Sequence, residues 1–303
     1  MNSLQRFWDS DIAWSWRHSW LAMTSTIIFV VMLVGAFGAP ILAPHDPFDL
    51  ATLNLMDSLK PPFWQEGADA TFPLGTDSQG RDMLSALMYG TRVSLLIGLA
   101  SVILSMLIGI VLGLLSGYLG GRLDAFIMRV ADVQLSFPAI LIALLIDGVA
   151  RAVVPREMHD IIAFPVLIGA IALAGWPQYA RTVRGSTMVE KNREYVQAAK
   201  VIGISSPVIM FRHVLPNVTG PVLVLATVHL ATAIITEATL SFLGVGVPAT
   251  SPSLGTLIRV GNDFLFSGEW WVTIFPGIAL VLLVLSVNLL GDWLRDALNP
   301  KLN

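Results

Sequence analysis

From Val93 to Tyr118 the chain runs 26 residues without a charged side chain. A helix rises about 1.5 Å per residue and the hydrocarbon core of a bilayer is about 30 Å thick, so a run of this length matches one crossing. Backbone placed in lipid must satisfy its own hydrogen bonds, which leaves only helices and closed barrels, and an unbroken apolar run selects the helix. Further runs of the same kind follow. With 55% hydrophobic and 13% charged residues, the composition lies outside that of ordinary soluble domains. Cysteine is absent, which excludes disulfide scaffolds, thiol catalysis and Cys-ligated zinc. No basic patch with interleaved aromatics points to nucleic acid.

Six spans are expected, so the fold class is all-α, a polytopic membrane protein with six transmembrane helices. They are placed at 21–42, 93–118, 125–150, 161–179, 218–243 and 272–290. The first reads as an uncleaved anchor, because its apolar stretch exceeds the 7–15 or so residues of a signal-peptide core. Before it, Trp8, Trp14, Trp16 and Trp20 mixed with Arg6, Arg17 and His18 suit the headgroup level. The chain divides into 1–43 (interfacial segment and first span), 44–88 (a long loop) and 89–303 (a core with five spans, including a loop at 181–217). The long loop holds five prolines and many acids, and its end, PLGTDSQGRD, predicts a turn with Thr76 or Asp77 capping a short helix. A calcium site on Asp77 and Asp82 lacks the ligand spacing of a calcium loop, and no metal site is expected.

Within the spans, Ser101, Ser105, Gly109, Gly113 and Gly117 recur every four residues. Small residues on one helical face allow close backbone approach, so they are read as a packing seam. Arg129 and Asp132 are expected to form a structural ion pair, and Pro138 to bend the third span. Asp147 is near the far end of that span. Glu237 is the one acid read as deeply embedded. Together with Asp147 and with His229, eight residues earlier on nearly the same face, it is a candidate for the translocation path or a subunit interface. His229 by itself reads as a buried packing residue before a ligand.

Lys and Arg number twelve on the side of the 181–217 loop, counting Arg6, Arg122, Arg295 and Lys301 among them, and six on the other. The positive-inside rule then makes both termini and that loop cytoplasmic.

The segment EYVQAAKVIGISSPVIMFRHVLP, Glu194–Pro216, predicts a helical hairpin: helix formers through Lys200, Gly203 in the left-handed position, then Ser206 as N-cap and Pro207 as first helical residue. Tyr195, Ala199 and Ile202 are expected to share one face of the first helix, and Val208, Phe211 and Leu215 one face of the second. Glu194, Ala198, Ala199, Gly203, Leu215 and Pro216 resemble the EAA loop of permease subunits of bacterial ATP-binding-cassette importers. Lys200 stands where that family more often has arginine. The resemblance extends through PLGTDSQGRD, SFP (Ser136–Pro138), GWPQYARTVRG (Gly175–Gly185), EATLSFLGVGVP (Glu237–Pro248) and NLLGDWLRDALNP (Asn288–Pro300), which are similar to the C-type permease of oligopeptide, dipeptide and nickel importers.

That resemblance implies a type I importer permease fold. It also implies an inner-membrane complex with a second, homologous permease, two ATP-binding subunits that bind ATP and magnesium, and a periplasmic solute-binding protein. The hairpin would dock in the ATPase, and a di- or oligopeptide would cross by alternating access. No cofactor is expected in this chain, which has no GxxxxGK[ST] stretch to cradle phosphate, and no HExxH or GxSxG to make it an enzyme. Family members also carry nickel complexes, opines and antimicrobial peptides. An ion-coupled secondary transporter or a poreless assembly factor are the other classes open to such a chain.

Overall fold

The computed structural model describes residues 11–49, 53–248 and 250–297; Arg6, Trp8, Pro300 and Lys301 lie outside them. Helices α1 (Asp11–His18) and α2 (Trp20–Leu42) precede a loop that carries one short 3₁₀ turn, Leu55–Asp57. Helices α3 (Met83–Leu119), α4 (Gly121–Leu135), α5 (Ala139–Val153), α6 (His159–Glu190) and α7 (Glu194–Val201) follow. A single turn at Ser206–Val208 and a π-helical segment at Ile209–Val214 lead into α8 (Leu215–Phe242), and α9 (Leu254–Asn262) and α10 (Trp271–Ala297) complete the chain. Among the described residues there is no strand, only an isolated bridge between Thr76 and Asp82.

Among the described residues five helical runs are long and apolar enough to cross a membrane: α2, α3, α6, Ser206–Phe242 and α10. The expected third span differs. It is two helices, α4 and α5, set 94° apart, so a sixth crossing exists only if the bent pair is counted as one. Proline has no N–H to continue a helix and restricts the residue before it, so α4 ends at Ser136 and α5 begins after Pro138. Helix α4 is amphipathic and turns Ile127 and Ala131 into the core.

The expected pairing of Arg129 with Asp132 is also corrected. Asp132 pairs across the helix boundary with Arg181 of α6. Two turns earlier, Asp124 accepts two hydrogen bonds from Arg184, from Nε at 2.5 Å and Nη2 at 2.7 Å, and Ser116 bonds to the same carboxylate. Inter-helix reach is why sequence spacing misjudged this: Asp124 and Asp132 stand on the stripe of α4 that faces α6, where an arginine is already waiting.

The most extensive helix pair is α3 against α6. Ser101, Ser105, Gly109, Gly113 and Gly117 all lie buried. A Cβ on Gly113 would sit 2.7 Å from the Ala180 carbonyl oxygen, and one on Gly117 2.8 Å from that of Arg184. Ser105 Oγ donates to the Ala172 carbonyl at 3.0 Å. The two helices are therefore in close contact along about three turns, from Ser105 to Gly117, and dispersion at close range takes the place of the water-driven burial that lipid does not provide.

The long loop is folded back on the bundle. Arg81 Nε donates to Asp77 Oδ2 at 2.6 Å, with both side chains buried, while Asp77 Oδ1 accepts from the backbone of Gln79 and Arg81. Asp82, rather than Thr76 or Asp77, caps the following helix by accepting from Ser85 N at 2.8 Å, and that helix is the start of α3 itself. Trp271 Nε1 donates to the Thr76 carbonyl at 3.1 Å, tying loop to α10.

Candidate functional site

Three places concentrate polar chemistry. The first is the hairpin. Helix α7 closes in a Schellman motif: Gly203 takes φ +82°, its N–H reaches the Lys200 carbonyl, and the Ile204 N–H reaches that of Ala199, both at 3.0 Å. The second leg starts one residue early, with Ser205 rather than Ser206 at the N-cap position and no side-chain cap. Tyr195 ties the legs together. Its hydroxyl donates to Glu190 Oε2 at 2.7 Å and accepts from Asn217 Nδ2 at 3.0 Å, and burial followed by the Glu190 contact holds the phenol above its ordinary pKa.

The hairpin's faces differ from the expected ones. Val196 and Ala199 are buried against Val183, Ile209 and Val214, so Ala199 seats the hairpin on the bundle. Ala198 and Glu194 are exposed. Val201 and Ile202 are 86% and 74% exposed, and Val208 and Phe211 are also open, so four large apolar side chains project from one hairpin. Leu215 and Pro216 open α8, directly after the π-helical segment Ile209–Val214.

The second place is a buried node around Glu237, which is fully enclosed. Ser94 Oγ of α3 donates to its Oε2 and Ser241 Oγ to its Oε1, both at 2.7 Å. Each hydroxyl then accepts a backbone N–H, Ser94 from Leu254 at 3.3 Å and Ser241 from Val247 at 3.4 Å. One carboxylate thus joins α3, α8 and the start of α9. Ser94, 143 residues away on α3, is invisible to sequence reasoning, whereas Ser241 stands one turn further along α8. His229 lies elsewhere in the core, its Nδ1 at 3.0 Å from the Tyr179 hydroxyl, packed over Gly175.

The third place is an open cavity of about 450 Å³ between α6, α9 and the α8–α9 turn, with Ser78 of the long loop and Arg151 at its rim. Asp147 is not free to act there: Arg151 Nε donates to its Oδ2 at 2.6 Å. His159 Nε2 contacts the carbonyls of Arg151 and Val154. Thr256, Arg259, Val260 and Asp263, at positions i, i+3, i+4 and i+7 of α9 and its C-cap, all line the cavity. None of these had been singled out from sequence, although the amphipathic spacing of LGTLIRVGND carries the signal.

Comparison with known proteins adds the following. The family model described as binding-protein-dependent transport system inner membrane component matches residues 109–303, and that for the N-terminal TM domain of oligopeptide transport permease C matches residues 6–62. The di/tripeptide transport system permease protein DppC of Pseudomonas aeruginosa is 40% identical over 299 residues, covering 99% of this chain and 92% of the relative. The dipeptide transport system permease protein DppC of Escherichia coli K12 is 41% identical over 307 aligned residues, covering 100% and 94%. Among solved structures, an inward-facing form of the MetNI methionine ABC transporter superposes with a TM-score of 0.55 at 20% identity, covering 72% of this chain and 98% of that one.

Proposed function

Because the chain belongs to the family of binding-protein-dependent transport system inner membrane components, we propose that it is the permease subunit of an ATP-driven importer of di- or oligopeptides. The peptide reading rests on relatives of about 40% identity along the whole chain that are named for dipeptide and di/tripeptide transport. The structural observation that carries the coupling role is the hairpin, which presents Val201, Ile202, Val208 and Phe211 outward while Val196, Ile209 and Val214 root it in the bundle. Apolar side chains exposed at the tip of a rooted, Schellman-capped hairpin suit insertion into a groove of an ATP-hydrolysing partner.

In this reading two hairpins, one from each of two related permeases, receive the closure of two ATPases, and ATP and magnesium belong to those partners. The hairpin continues directly into α8, so a displacement of its tip is carried along α8 to Glu237 and α9. A solute-binding protein delivers peptide at the end of the bundle bearing the long loop, and the hairpin and both termini are on the opposite, cytoplasmic side in this reading. The twofold excess of Lys and Arg on the hairpin side supports that orientation.

The test is purification of the tagged chain from its own membranes in mild detergent, followed by uptake measured in vesicles. Recovery with a second permease and two ATPases, together with ATP-dependent uptake of a dipeptide, is the expected result. Uptake by the isolated chain without ATP would overturn the reading.

A further inference from the structure

The cavity beside α9 holds charges that the fold leaves uncommitted. Arg151, at its rim, is satisfied by Asp147. Arg259, Asp160 and Asp263 also line it, and among the described residues none of the three enters an ion pair or side-chain hydrogen bond within the chain. Opposite charges around one concave space ordinarily collapse onto each other when their side chains are free to meet. Here they do not pair, although Arg259 and Asp263 stand one turn apart on α9 and its C-cap.

Two close contacts fix where Arg259 stands. Helix α9 is fixed by contact of main chains, because a Cβ on Gly255 would overlap Ala238 backbone and one on Gly261 would stand 2.5 Å from the Val272 carbonyl oxygen. The guanidinium of Arg259 lies on Gly244, which has φ +83°. A Cβ there would come within 2.8–3.1 Å of Nη1, Cζ and Nη2, so the group packs closely on this backbone while Arg259 lines the cavity. Asp160 stands on a different element, the first turn of α6. The result is a cation and two anions held separately around a space of about 450 Å³, within the range of small-molecule pockets, roughly 300–1,000 Å³.

We propose that this cavity clasps the two charged termini of a short peptide, Arg259 taking the carboxylate and Asp160 and Asp263 the ammonium. A planar guanidinium matches a carboxylate in a two-bond fork, and an ammonium satisfies two carboxylates at once. The proposal rests on the peptide-import reading and adds to it a contact for the solute in the permease itself, between the binding protein and the pore.

The experiment uses the assembled importer in cells lacking the chromosomal copy of this chain, with radiolabelled Ala-Ala as probe. Arg259→Gln is expected to lower Ala-Ala uptake about ten-fold or more, the scale of losing a charge-assisted hydrogen bond. Arg259→Lys keeps the charge but not the fork and is expected to fall between wild type and Arg259→Gln, and the paired change Asp160→Asn with Asp263→Asn to lower uptake as Arg259→Gln does. All three complexes are expected to purify intact and to retain the binding protein in a pull-down. Wild-type uptake by Arg259→Gln, or equal loss in Arg259→Lys, overturns the proposal. Loss of the binding protein from Arg259→Gln overturns it in favour of a protein-docking face. Failure of the wild-type importer to carry Ala-Ala at all is a different result, which removes the peptide reading beneath it.

Discussion

Gly113 and Gly169 show how differently one residue type behaves in this chain. A Cβ on Gly113 meets the Ala180 carbonyl and Val183, whereas one on Gly169 meets nothing. Gly113→Val is therefore expected to destabilise by about 1–3 kcal/mol, since neither backbone has room to retreat. Gly169→Ala, in the interior of a helix, is expected to be neutral or slightly stabilising. Thermal unfolding of the two variants in the same detergent separates them. Glu237 behaves as a hub of the same kind. Glu237→Ala strands the Ser94 and Ser241 hydroxyls in the core and is expected to cost roughly 1–3 kcal/mol, while Glu237→Gln, which keeps an acceptor, costs less. Amide exchange at Leu254 and Val247, whose N–H groups hang on those hydroxyls, is the local readout. Equal protection in all three proteins would rule out the hub.

At the scale of elements, the hairpin makes two predictions that differ in kind. Ala199→Leu overfills the contact with Val183 and Val214 and is expected to lower folded yield. Ile202→Glu changes only an exposed position and is expected to leave yield unchanged while weakening recovery of the ATPase partner in a pull-down. The sequence told these two residues apart poorly, because helical spacing defines faces but not which face meets the bundle. What it conveyed well was Gly203, whose left-handed conformation follows from local chemistry. The same division holds elsewhere. The four-residue spacing of Ser101 to Gly117 announces a tight face without naming its partner, and Pro138 announces a break without its angle. Arg184, Ser94 and Arg259 were missed because their importance lies in partners distant along the chain.

For the whole molecule, the long loop is held by Lys60, which bonds both Asp57 and Asp69 at 2.7 Å. Those two bonds raise the Lys60 pKa, and the Lys60 ammonium holds Asp69 well below the ordinary carboxylate range. A depressed carboxylate contributes stability that is present above its unfolded pKa and lost as pH falls through the folded one. A raised ammonium contributes stability that is present below its unfolded pKa and lost as pH rises through the folded one. The clamp is thus complete between about pH 5 and 9. Protease cleavage within 53–82 is expected to be flat across that window, and Lys60→Ala to raise it throughout.

The break at Ser136–Pro138 reaches beyond the protein. Helix α5 has 15 residues, so its length is about 22 Å against a hydrocarbon thickness of about 30 Å. Leu141, Leu145, Val149 and Val153 nevertheless form an exposed apolar stripe along all of it. Where lipid meets that stripe, a helix this short calls for a thinner bilayer, snorkelling flanks or a covering partner helix. A single proline break thus ties the depth at which Asp147 and Arg151 sit to whatever lies against this flank.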